Sequence, residues 1–128
     1  MNPSPRGLAP LIQKHFQGRE EELYGFFLPF YQAMAIDVLI GFFFVGKDLP
    51  KIAANQAQLI MKATGLSPSY GGKLPGAAHL QIAPILTGHF NRRLRILEDH
   101  LARKGLKPEE IAQWIQFENS FRAAIESR

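Results

Sequence analysis

Three residues of this chain combine a polar or reactive side chain with apolar surroundings. His79 stands in GAAHLQI, behind the stretch GLSPSYGGKLPGA at Gly65–Ala77. Two prolines, a Gly-Gly pair and serines mark that stretch as a loop, and loops of such length in a small domain often serve a ligand. An imidazole there has two uses. It makes a structural hydrogen bond, the commoner fate of a lone histidine, or it binds a metal through one ring nitrogen. Gln56 lies midway between Ile52 and Ile60, so the three share one helix face. An amide on an inward face needs a partner, and Tyr31, among Phe27, Phe30 and Met34, is a candidate. The pair either closes on itself inside the core or presents two donors over a bound ligand. No P-loop, nucleophile elbow, HExxH pair or zinc-spaced His/Cys set is present.

The elements that must position these residues read as helices throughout. MNPSPRG reads as a frayed arm and Leu11 to Phe16 as a short helix ended by Gly18. Glu20–Glu22 suit the positive end of a longer helix, which carries Leu23, Phe26/Phe27, Phe30/Tyr31 and Met34 inward and which Pro29 should kink. Asp37 reads as the cap of a short helix through Phe44. Asp48 and Pro50 open a third helix to Thr64, stopped by Gly65. A helix after Pro84 presents Phe90, Leu94, Leu97 and Leu101 and ends at Gly105. Lys107-Pro108-Glu109-Glu110 opens the last, with Ile111, Trp114/Ile115, Phe121 and Ile125 on one side. Strand patterns are absent, and the expectation is one all-α domain of five or six helices.

Phe26–Val45, FFLPFYQAMAIDVLIGFFFV, is long and apolar enough to raise the question of a membrane span. Asp37 near its middle, Pro29, Gln32 and the acidic flank Glu20–Glu22 argue against one. A folded aromatic wall is the better reading. With 128 residues, 46% of them hydrophobic, the chain can bury a core. Its net charge of +4 is spread out, with Arg92, Arg93 and Arg95 the densest group, so nucleic acid is not indicated. There is no cysteine, hence no disulfide or thiolate metal site. No signal peptide is evident, so the cytoplasm is the expected address.

The ordered set Phe30-Tyr31, Asp37, Phe42–Phe44 with Gly46, Gln56, Tyr70-Gly71-Gly72, His79 and His89-Phe90 resembles the truncated haemoglobins of bacteria, protozoa and plants, closest to their group I pattern. The resemblance covers residues 18 to 126, leaving 1–17 as an N-terminal arm with a short helix. It implies a globin-like fold, a two-over-two α-helical sandwich, holding haem b (iron protoporphyrin IX). His79 then looks like the proximal iron ligand and Phe44 like the aromatic packed flat against the porphyrin. Tyr31 and Gln56 look like the distal pair that donates to a bound diatomic ligand, with Ile52 at the distal position where many globins place histidine. Lys47, Lys51 and Tyr70 sit where the family contacts the haem propionates. The chain departs from the pattern at Gln17-Gly18, where the family has Gly-Gly, and by one extra residue between His79 and Phe90. Arg93 stands, within one residue, where group II carries tryptophan, which argues against group II. Its expected course is along an apolar stem to the surface.

The function implied is binding of dioxygen, NO or CO. It extends to nitric oxide dioxygenation or a peroxidase-like activity, for which an external reductase would supply electrons, since no flavin or nicotinamide motif is present. Neither nucleic acid nor membrane is an expected partner, and monomer and homodimer both stay open. Two rivals belong to other classes. One is a haem-based gas sensor signalling through the Arg92/Arg95 face. The other is a helical interaction domain that keeps the globin shape without haem.

Overall fold

The computed structural model describes residues 5–66 and 85–125, in which every regular element is helical. A 3-10 turn at Pro5–Leu8 leads into α1 (Ala9–Phe16). Then follow α2 (Glu20–Ala35), a second 3-10 turn (Gly41–Phe44), α3 (Leu49–Ala63), α4 (Thr87–Lys104), α5 (Pro108–Asn119) and the single turn α6 (Arg122–Ile125). The pairs α2/α3 and α4/α5 pack within themselves, and α2 also lies against α4. This all-helical arrangement is consistent with a small globin-like truncated haemoglobin fold. No helix among the described residues is long and apolar enough to cross a membrane.

Local chemistry sets most boundaries where the sequence places them. At the end of α1, Gln17 and Gly18 both take positive φ, +57° and +64°. The Asp48 carboxylate accepts from the Lys51 N–H at 3.1 Å and caps α3, with Pro50 in the first turn. α4 closes on Gly105 at φ +110°, with the Leu106 N–H donating back to the Leu101 carbonyl and Leu106 itself buried. Pro29 lies on the exposed side of α2, which runs unbroken through it from Glu20 to Ala35. The lost donor is therefore absorbed without ending the helix.

Phe26–Val45 is two elements with a corner between them. At the corner the Asp37 carboxylate accepts from the Leu39 and Ile40 N–H groups, at 3.0 and 3.2 Å. Its other oxygen accepts from the Arg92 Nε and Nη2 at 2.9 and 2.7 Å. Arg92 above all holds the Asp37 carboxyl below its ordinary range. Gly41 must approach the end of α2 closely: a Cβ there would stand 2.6 Å from the Ala35 carbonyl oxygen. The aromatics divide at this corner. Phe27, Phe30, Tyr31 and Met34 enter the core, and Phe43 and Phe44 pack partly against it. Ile36 and Val38 stay in solvent.

The N-terminal segment is more tied down than its composition suggests. Leu8 is buried, and the Gly7 carbonyl accepts from the Gln113 side chain at 2.8 Å. Leu11, Ile12 and Phe16 of α1 join the same core as Trp114. On the outside of this junction Glu110 gathers the Lys107 N–H at 2.8 Å, Lys14 Nζ at 3.1 Å and His15 Nε2 at 3.2 Å. The Lys107 N–H does most to bring its carboxyl down to about 2. Partial desolvation opposes the shift, and Lys14 and His15 add to it. A carboxyl depressed in the fold stabilises above its unfolded value, and that stability is lost as pH falls from about 4.5 through about 2. Urea midpoints measured across this window should therefore fall with acid, and Glu110→Gln should flatten the fall. An identical slope in the variant would show that Glu110 is not a source of it.

Candidate functional site

Tyr31 is brought inside by the three-and-four spacing of α2 and is 6% exposed. Its ring sits among Phe30 at 5.2 Å, Phe27 at 6.5 Å and Phe44 at 6.0 Å between centroids, the last edge-on. Phe44 comes from the 3-10 turn, so the Asp37 corner sets its position. Burial pushes the Tyr31 hydroxyl above its ordinary pKa, and the charge of the Arg93 guanidinium pulls the other way. On α3, Ile60 is buried while Ile52 and Gln56 are half-buried. No hydrogen bond joins Gln56 to Tyr31 among the described residues, so the pair does not close on itself in the core.

Arg93 corrects the sequence expectation. It does not run to the surface. Its side chain is 19% exposed, and Nη1 donates to Glu118 Oε2 at 2.6 Å. The guanidinium carbon lies 5.3 Å from the Phe30 ring centroid. Glu118 is 4% exposed, and its second oxygen accepts from the Trp114 Nε1–H at 3.2 Å. An ion pair between α4 and α5 thus stands directly behind the tyrosine. The reason is tertiary: Glu118 on α5 is a buried carboxylate, and Arg93 reaches inward to pair with it. Burial alone would lower the pKa of Arg93, but Glu118 and Tyr31 outweigh it and leave the group more firmly charged. Arg92 is also committed, to Asp37, whereas Arg95 is exposed and only loosely paired with Glu98 and Asp99 at 3.9 and 3.8 Å. The Arg92/Arg95 face is therefore half used up in holding the corner.

Lys47 and Lys51 are exposed at the start of α3. His79 and Tyr70, with the loop of Gly65–Ala77 beyond Leu66, lie outside the described residues. The described residues leave apolar surface that a flat apolar group could cover. Phe43, Phe44, Ile52 and Leu66 are only partly covered by protein and pack on the core with their remaining surface open. Tyr31, buried, meets Phe44 edge-on. Among the described residues no cluster of three or more His, Cys, Asp or Glu side chains could hold a bare metal ion. Sequence reasoning missed Glu118 and Trp114 as parts of the site. The signal was the i, i+4 spacing of an acid with the tryptophan on an otherwise inward face.

The chain is 32% identical over 84 residues to a group 1 truncated hemoglobin of Chlamydomonas moewusii, an alignment that takes in 65% of this chain and 49% of that protein. It thus spans about half the length of the curated relative it matches. No family model matches the chain, and no solved structure matches it. What the alignment shows is a similarity to that protein over those 84 residues.

Proposed function

We propose that this chain, as a truncated haemoglobin of group I, holds haem b and binds dioxygen and other diatomic ligands in a pocket walled by Tyr31 and Phe44. The observation that carries the reading is Tyr31. A buried phenol stands edge-to-face with an aromatic that is itself half-open, in a chain similar to a group 1 truncated hemoglobin. When bound, haem would supply an iron able to take up a small diatomic ligand. The protein's part is to exclude water with Phe27, Phe30 and Phe44 and to place donors. Tyr31 would offer its O–H and Gln56 its N–H to a ligand carrying partial negative charge, where a dry site makes each donor count for more. Ile52 fills apolar space between them. Lys47 and Lys51 would hold the propionates by charge, and His79 would bind the iron.

Oxidation of nitric oxide to nitrate by dioxygen held in the same pocket is the enzymatic extension of this proposal. It needs one electron each turn, so a separate reductase is part of the proposal. A cytoplasmic address belongs with it as well.

The test is a visible spectrum of the purified protein with haem, ferric, then reduced, then exposed to carbon monoxide. An intense Soret band that shifts at each step is expected; the broad absorption of free haem would refute the reading. Within it, Tyr31→Phe should speed dioxygen release about 10- to 100-fold, the equivalent of a hydrogen bond to a charged group worth about 1.5–3 kcal/mol. An unchanged rate by flash photolysis would remove Tyr31 from the role of donor.

A further inference from the structure

The pocket reading gives no work to Arg93, yet a permanent charge is not buried behind a ligand-facing phenol without consequence. Guanidinium groups only donate. A cation near the Tyr31 hydroxyl favours the phenol oxygen toward it and the hydrogen away from it. The cation is fixed from two sides, by Glu118 at 2.6 Å and by the Phe30 ring at 5.3 Å, and the Phe30 ring in turn lies 5.2 Å from that of Tyr31. Glu118 is fixed in turn by Trp114 at 3.2 Å. The ion pair is neutral as a whole but is not so from where Tyr31 stands. Arg93 acts on the phenol more strongly than Glu118 does, so the pair presents its positive end to the hydroxyl. A positive end behind an O–H group strengthens that group as a donor, the more so in a poorly solvated site.

We propose that Arg93 is the positioning residue of the distal site: held inward by Glu118, it aims the Tyr31 O–H at the pocket and biases the site toward anionic ligands and toward diatomics that gain negative charge on binding. The inference rests on the haem-pocket reading above. Neither composition nor the group I resemblance assigns this arginine a role.

The test uses three variants of the full chain. Arg93→Met removes the charge, Arg93→Met/Glu118→Gln removes it without stranding a carboxylate, and Arg93→Lys keeps a cation but loses the planar fork. Two readouts are made. In the haem-free chain labelled with 3-fluorotyrosine, the Tyr31 fluorine resonance is assigned by Tyr31→Phe. In the reconstituted protein, ferric azide affinity and the C–O stretch of bound carbon monoxide are measured. In the double variant the Tyr31 resonance should shift, the C–O stretch should rise and azide should bind about tenfold more weakly, the factor of one charge-assisted hydrogen bond. Arg93→Lys should recover part of each. An intact Soret band with fluorine resonance, stretch and azide affinity all unmoved in the double variant would overturn the role of Arg93 and leave the haem reading standing. A wild-type chain with no Soret band would overturn both.

Discussion

Reconstituted with haem, the His79→Ala chain should give the broad absorption of unligated haem where the wild type gives a sharp Soret band that responds to carbon monoxide. The chain has four histidines. Three are committed elsewhere. His15 Nε2 donates to Glu110 at 3.2 Å. His89 Nδ1 accepts from the Leu86 N–H at 3.0 Å, and its ring lies edge-on to Phe42 and Phe43. His100 Nδ1 donates to the Ile96 carbonyl one helical turn back at 3.0 Å. Each has one ring nitrogen engaged in these bonds, and cysteine is absent. His79 is the histidine expected to serve because the group I resemblance implies it. Exogenous imidazole separates a lost ligand from a lost fold: it should restore the sharp band to His79→Ala and leave helicity by circular dichroism unchanged throughout. A sharp, carbon-monoxide-responsive band in His79→Ala without added imidazole would sink the assignment.

Glu118→Ala should cost about 3–5 kcal/mol of folding stability, the usual penalty for stranding one partner of a buried ion pair. The variant leaves a guanidinium facing Phe30 and Tyr31 with no carboxylate, and it also removes the acceptor of the Trp114 N–H. The loss belongs to the stranded charge and not to the attraction itself, so Arg93→Met/Glu118→Gln should recover most of it. Urea unfolding of wild type, single and double variants forms the cycle. A loss below about 1 kcal/mol in Glu118→Ala, the range of exposed pairs, would mean that Arg93 escapes to water when its partner is removed. By contrast, Arg95 lies loosely against Glu98 and Asp99 on the surface, and its replacement should register hardly at all.

The amino-acid sequence by itself determined the elements. Asp48 with Pro50, Glu20–Glu22, Pro108 with its acids, and Gly18, Gly65 and Gly105 start and stop helices through contacts within a few residues, so their effects are readable in order along the chain. The corner at Asp37 was legible for the same reason, and so was the inward register of Tyr31, since a period near 3.6 depends on nothing beyond α2. The frayed reading of the first residues failed at Gly7 because its partner, Gln113, lies on α5, at the far end of the chain. Only the tertiary structure decided where the arginines go. Arg92 and Arg93 are adjacent in sequence, yet one secures Asp37, 55 residues away, and the other secures Glu118, 25 residues away. A charge can be buried only where an opposite charge waits. That neutralising partner belongs to another helix, so no local pattern around Arg93 could announce it.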